Sequence, residues 1–222
     1  MKLYADTANL DEIKYLHDLG AITGVTTNPS LIAKEPKGSF DALIMSLGDF
    51  CLEANLSLSV EVFNTQFEEM LIEAREISKK TSKFRGIIKI KIPTTGDGLK
   101  AIKILSQEGV KTNATACYTE QQMALAATAG ASYVSLFYCR LKQSGGDCDK
   151  VLSRIRAYIE ANQLDSQIIC GSIRTQTDVS DAWASGAHIV TTGVGVVNEM
   201  IMHPKTDEAI ATFTKDFEQW IG

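Results

Sequence analysis

Short β-branched runs alternate with amphipathic helical stretches eight times along this chain of 222 residues. The extended runs fall at 2–5, 22–26, 57–62, 86–92, 111–115, 132–137, 167–171 and 188–191. Helical patterns follow them at 10–19, 39–54, 66–79, 97–107, 120–129, 149–162, 175–184 and 195–202, and a last helix at about 205–220 follows Pro204. Gly20, Gly109 and Gly130 stop three of the helices. A strand that must return through a helix lies parallel to its neighbour, and eight such units close a barrel. An open doubly wound sheet would use fewer units and carry a Gly-x-Gly-x-x-Gly turn after its first strand. Here that strand ends in Asp6-Thr7-Ala8-Asn9. With no Pro/Gly/Ser-rich linker or composition break, the expected fold is α/β: a single (β/α)8 TIM-barrel domain over residues 1–222. The barrel takes about 1–203, and an extra C-terminal helix takes about 204–221. That helix can pack on its own barrel or reach across to a neighbour.

Composition narrows the partners. With 45% apolar and 22% charged residues the chain is ordinary globular material. A net charge of -5 leaves no basic footprint, so no nucleic acid partner is expected, although a locally basic pocket for an anionic substrate is compatible with it. The five cysteines form no Cys-x-x-Cys pair and sit mostly among apolar residues. They read as free thiols in a reducing cytoplasm rather than as a zinc site. No run approaches the ~18 consecutive apolar residues of a membrane span, so no membrane partner is expected. The first residues enter a strand at once, so no signal peptide is expected.

In such a barrel, catalytic groups collect at the C-terminal ends of the strands. Those ends are polar here: Asp6, then Thr26 and Asn28, then Glu61, Lys91, Asn113 with Thr115, Ser135 with Phe137 and Arg140, Ser172 with Arg174, and Thr191-Thr192-Gly193. Singly each has a plain structural reading: Asp6 or Ser172 as a helix cap, Asn28 before Pro29 as a turn residue, Thr115 as a β-former, the arginines as surface charges. Together, eight strands supply polar groups at one end. In the run Ile88-Lys89-Ile90-Lys91-Ile92-Pro93, alternation puts both lysines on one face. A lysine there suits condensation with a ketone to a Schiff base, with carboxylates moving protons. Burial or a neighbouring cation lowers an amine from its usual pKa of about 10.4. Lys89 is placed to act so; it is expected one layer below Lys91, paired with Glu61 or another inward carboxylate. The histidines (His17, His188, His203) lie outside the set, and neither a metal nor a cofactor is expected. Arg140, Ser172 and Arg174 suit a phosphate clamp.

Over nearly its whole length the chain resembles the short-form transaldolase family, which includes the fructose-6-phosphate aldolases. The carrying motifs are Ala5-Asp6-Thr7-Ala8-Asn9, Gly24-Val25-Thr26-Thr27-Asn28-Pro29-Ser30, Ser59-Val60-Glu61-Val62, Lys91-Ile92-Pro93-Thr94-Thr95, Thr112-Asn113-Ala114-Thr115, Ser135-Leu136-Phe137 through Arg140, and Gly171-Ser172-Ile173-Arg174. The resemblance implies transfer of a dihydroxyacetone unit between phosphorylated sugars. Lys91 resembles the Schiff-base lysine and Asp6 the group that takes the C4-hydroxyl proton. Glu61 and Thr115 resemble the pair holding a catalytic water. Asn28, Asn113 and Ser135 correspond to groups that orient dihydroxyacetone, and Arg140, Ser172 and Arg174 to the phosphate site. Glu61 and Phe137 match the transaldolase choice; the aldolases typically carry Gln and Tyr there. Lys89, Leu136 and the Thr192-Gly193-Val194-Gly195 exit depart from the family pattern. The resemblance further implies a homo-oligomer, often a decamer of stacked pentamers built with the C-terminal helix. An aldolase acting on fructose 6-phosphate and a non-catalytic sugar-phosphate-binding barrel are the competing readings.

Overall fold

The computed structural model describes residues 2–222. Eight strands pair in sequence order, all parallel, and the eighth closes on the first. They are β1 (Lys2–Asp6), β2 (Gly24–Thr26), β3 (Ser57–Glu61), β4 (Ile88–Pro93), β5 (Thr112–Cys117), β6 (Tyr133–Phe137), β7 (Gln167–Gly171) and β8 (Ile189–Thr192). Between them run α1 (Leu10–Asp18), α2 (Pro29–Ile32), α3 (Phe40–Glu53), α4 (Phe67–Lys80), α5 (Gly96–Gln107), α6 (Glu120–Thr128), α7 (Tyr138–Gln143), α8 (Cys148–Ala161), α9 (Gln176–Ala184) and α10 (Val194–Ile201). The (β/α)8 barrel is therefore the fold, with α11 (Pro204–Ile221) added at its end.

The main core lies between strands and helices. Alternate strand residues, such as Ile88, Ile90 and Ile92 of β4, point outward into it. Helices meet them with apolar faces: α8 buries Val151, Leu152, Ile155 and Ile159 at helical spacing. Each such fully buried side chain contributes about 1.5–3 kcal/mol. Inside the barrel the apolar content is small. Tyr4, Tyr133, Ile169 and Ile189 form a separate plug across its middle. Gly24 makes room for it, because a Cβ there would lie 2.5 Å from the Tyr4 ring.

Two local features differ from the sequence reading. Asn28-Pro29-Ser30 begins a single helical turn, α2, with Asn28 as its cap and Pro29 at the first position. Tyr138–Gln143 forms α7, which is too short and uncapped to show a periodic pattern. Asn9 caps α1 as its position before Leu10 predicts, its Oδ1 accepting from the amides of Asp11 and Glu12, so Asp6 is not spent as the cap. All five cysteines are free and buried. No helix is long and apolar enough to cross a membrane among the described residues. No residue of α11 is buried, and Phe213, Phe217, Trp220 and Ile221 lie exposed along it.

Candidate active site

A cavity of about 600 Å³ opens at the C-terminal ends of the strands. Lys91 reaches it from β4. Pro93 ends that strand, and Thr95 caps α5 by accepting from the Gly98 amide at 3.0 Å. The turn is so tight that a Cβ at Gly98 would lie 1.9 Å from the Pro93 carbonyl oxygen. The Lys91 side chain is buried. Its Nζ lies 3.0 Å from Glu61 Oε2 and donates to the Thr27 carbonyl at 3.0 Å. Register explains the pairing, since Glu61 on β3 lies directly beside Lys91. At 3.0 Å a proton can pass between these groups without an intermediary. Thr115, on the next strand, lines the same cavity. Its buried Oγ1 has no hydrogen-bond partner among the described residues, and such groups normally bond to something.

Across the mouth, Thr26 Oγ1 donates to Asp6 Oδ1 at 2.7 Å. It also lies 2.6 Å from Thr191 Oγ1. A hydroxyl has one proton, so Thr191 must donate to Thr26. This chain fixes the Asp6 carboxylate toward the cavity. Ser135 lines the wall and donates to Asn113 Oδ1 at 2.6 Å. Asn113 itself is fully buried beneath the wall, and its Nδ2 donates to Ser59 Oγ at 3.1 Å. Of the residues singled out in the sequence, Asn113, Lys89, Thr192 and Gly193 do not line the cavity; Asn113 holds Ser135 instead. Asn28 lines it while its Oδ1 accepts from the Leu31 amide.

Arg140, Ser172 and Arg174 form another part of the wall. The Arg140 guanidinium lies 4.9 Å from the centre of the Phe137 ring, which meets Tyr118 edge to face. Ser172 has φ +59 and Ala116 has φ +58, left-handed conformations that cost free energy in residues with a Cβ. Ala116 belongs to a bulge that inserts one extra residue into β5 against β6. Among the wall residues are four cations (Lys34, Lys91, Arg140, Arg174) and two carboxylates (Asp6, Glu61), so the cavity favours an anion although the chain is acidic.

One buried carboxylate ties both arginine-bearing segments together. Asp178 on α9 accepts from Lys142 Nζ at 2.9 Å, Thr175 Oγ1 at 2.7 Å and Cys139 Sγ at 3.2 Å. Cys139 and Lys142 flank Arg140, and Thr175 follows Arg174. Burial pushes the Asp178 carboxyl up, but the three donors outweigh it and hold it below the ordinary range. A depressed carboxyl contributes stability above its unfolded pKa of about 3.9 and loses it as pH falls through the folded value. Asp178→Asn is expected to raise KM for an anionic substrate roughly tenfold while changing kcat less. Steady-state kinetics check this; an equal fall in kcat with no KM change would count against it.

Lys89 corrects the sequence reading. It pairs with neither Glu61 nor any other carboxylate among the described residues. Its side chain turns toward the opposite end of the barrel, where Nζ donates to the carbonyls of Gly86 and Ile87 at 2.9 and 3.2 Å. Register sets Lys89 beside Ser59, one step below Glu61. Lys34, the Ala116 bulge and the Thr27 carbonyl were not picked out from sequence. Lys34 stands just past a four-residue helix with no pattern, and a backbone carbonyl carries no residue signal. No group of three or more His, Cys, Asp or Glu able to hold a metal ion occurs among the described residues.

Fold and cavity together define a (β/α)8 barrel with a lysine–carboxylate pair in its C-terminal mouth and a cationic wall. The family model described as transaldolase/fructose-6-phosphate aldolase matches residues 3–221. A "Probable transaldolase" of Clostridium kluyveri is 44% identical over 218 residues, covering 98% of each chain. Proteins of the same name from Brachyspira hyodysenteriae and Clostridioides difficile are 40% and 42% identical, covering 100% and 98% of this chain and 100% and 97% of their own. The chain belongs to the transaldolase/fructose-6-phosphate aldolase family and is an enzyme of the transaldolase type.

Proposed function

We propose that the protein is a class I transaldolase of pentose phosphate metabolism. It would move a dihydroxyacetone unit from sedoheptulose 7-phosphate or fructose 6-phosphate to glyceraldehyde 3-phosphate or erythrose 4-phosphate. The observation that carries this is the buried Lys91–Glu61 pair facing Asp6 across one cavity. Lys91 Nζ attacks the ketose C2 carbonyl, and Glu61 supplies the proton with which the C2 oxygen leaves as water. Thr115 Oγ1, buried and lacking a protein partner among the described residues, suits a water held between it and Glu61. Asp6 then takes the C4-hydroxyl proton. The C3–C4 bond breaks, its electron pair neutralises the iminium, and the aldose phosphate departs. The acceptor aldehyde takes back the three-carbon unit by the reverse steps, and water releases Lys91. Asn28 and Ser135 orient the bound unit, Asn113 holds Ser135, and Arg140, Ser172 and Arg174 receive the phosphate.

Borohydride reduction with fructose 6-phosphate is expected to trap a covalent adduct, and turnover is expected to need erythrose 4-phosphate. No adduct would leave only a sugar-phosphate-binding barrel. Full turnover without acceptor would make the enzyme an aldolase. Phe137 supports the transferase reading because its ring supports Arg140 but offers no hydroxyl to protonate the enamine. Phe137→Tyr is expected to raise acceptor-free cleavage about tenfold, within the range of one added general acid. Unchanged release of free dihydroxyacetone would count against this account of Phe137.

The same proposal includes a homo-oligomer in the cytoplasm. Helix α11 leaves Phe213, Phe217 and Trp220 uncovered by its own barrel. A neighbouring copy would cover them, as in a decamer of stacked pentamers. Five free thiols suit a reducing compartment.

A further inference from the structure

A second cavity, of about 550 Å³, opens at the opposite end of the barrel. The two are separated by the interior plug: Ile169 lies on the wall of the upper cavity and Tyr133 on that of the lower one. Tyr4 and Tyr133 close it with a hydroxyl contact of 3.0 Å. Lys2, Lys89 and Lys111 all line the lower cavity, against one carboxylate, Asp165.

Lys89 is its most unusual group. Only 9% of it is exposed. An ammonium has three N–H donors. Two go to the carbonyls of Gly86 and Ile87, and the charge lies 5.5 Å from the centre of the Tyr133 ring. Carbonyls, an aromatic ring and the Tyr133 side chain solvate a cation in part, no carboxylate among the described residues pairs with it, and a buried charge without a carboxylate partner is costly. Lys2 and Lys111 add like charges at the same cavity. Burial, opposed by Tyr133 and reinforced by Lys2 and Lys111, pushes the Lys89 amine below the usual lysine range.

The geometry points to a second anion-binding site at the N-terminal end of the barrel, in which Lys89, Lys2 and Lys111 receive the phosphate group of a small phosphate monoester. An oxyanion supplies the missing countercharge. The cavity is far larger than a bare oxyanion needs and falls in the range of small-molecule sites. Ser132 and Gln167 on its wall offer hydrogen bonds to hydroxyls of the ester.

The test removes the arginines proposed to bind phosphate at the mouth. In an Arg140→Ala/Arg174→Ala background, calorimetric titration with inorganic phosphate and with glycerol 3-phosphate is expected to show one site for each, tighter for the ester. Adding Lys89→Met is expected to weaken both about 10- to 100-fold, the worth of a hydrogen bond to a charged group. Lys111→Gln, at the exposed rim, is expected to weaken them several-fold and serves if Lys89→Met does not fold. No binding in the double-alanine background overturns the site, as does binding that survives both lysine substitutions. Binding of phosphate but not of the ester overturns the ligand class. Borohydride trapping at Lys91 reports the mouth separately, so failure here is distinct from failure of the transaldolase reading.

Discussion

Lys91→Met is expected to abolish the borohydride-trapped adduct proposed for this site and to lower turnover by about 10⁴-fold or more, the scale of losing a covalent nucleophile. Methionine keeps most of the side-chain volume, so the barrel floor stays filled. The substitution leaves the Glu61 carboxylate without its partner at 3.0 Å. Breaking such a pair destabilises by up to about 3–5 kcal/mol when both groups are fully buried. The cost here is lower, because the Glu61 side chain keeps 15% of its exposure. A thermal melt run beside the assay separates loss of fold from loss of chemistry. Lys91→Arg is the sharper control. It retains the charge opposite Glu61, but a guanidinium stays protonated and cannot become the free nucleophile. It should fold and remain inactive. The rival nucleophile is Lys34, the other lysine on the cavity wall and an exposed one. An adduct mapped to Lys34, or one that persists in Lys91→Met, sinks the assignment.

Asp6→Asn separates cleavage from imine formation. The amide Oδ1 can still accept from Thr26, so the hydrogen-bonded chain through Thr191 survives. The base that takes the C4-hydroxyl proton is lost. Turnover is expected to fall by about 10²–10⁴-fold, the usual worth of a positioned general base. Adduct formation with fructose 6-phosphate is expected to persist, because Glu61 rather than Asp6 lies beside Lys91. Single-turnover trapping read against steady-state turnover makes the comparison. If adduct and turnover fall in parallel, Asp6 serves imine formation and the division of labour proposed here is wrong.

Particular residues show why some of this was legible in the sequence. Period-2 alternation placed Lys91, Glu61 and Thr26 inward, and Pro93 or Asn28 marked where each strand ended. These are local rules, and the cavity wall follows them. The same alternation put Lys89 and Lys91 on one face and could say no more. A lysine stem of four carbons can run either way along the barrel axis. Lys91 has Glu61 beside it and the Thr27 carbonyl above; Lys89 has Ser59 beside it and the carbonyls of Gly86 and Ile87 below. The β5 bulge at Ala116 and the shared anchor at Asp178 were also invisible, since each depends on segments distant in the chain.

The sequence by itself determined the eight strand–helix units, their parallel closure and the set of polar residues at the barrel mouth. Those depend on backbone periodicity, caps and turn residues, which act within a few positions. Only the tertiary structure decided which polar groups meet. Strand register joined Lys91 to Glu61 and sent Lys89 to a second cavity. Packing put Asn113 under Ser135 and left the apolar stripe of α11 uncovered. Contacts between distant segments are set by register and by the space each side chain finds, and neither is encoded in any short stretch of chain.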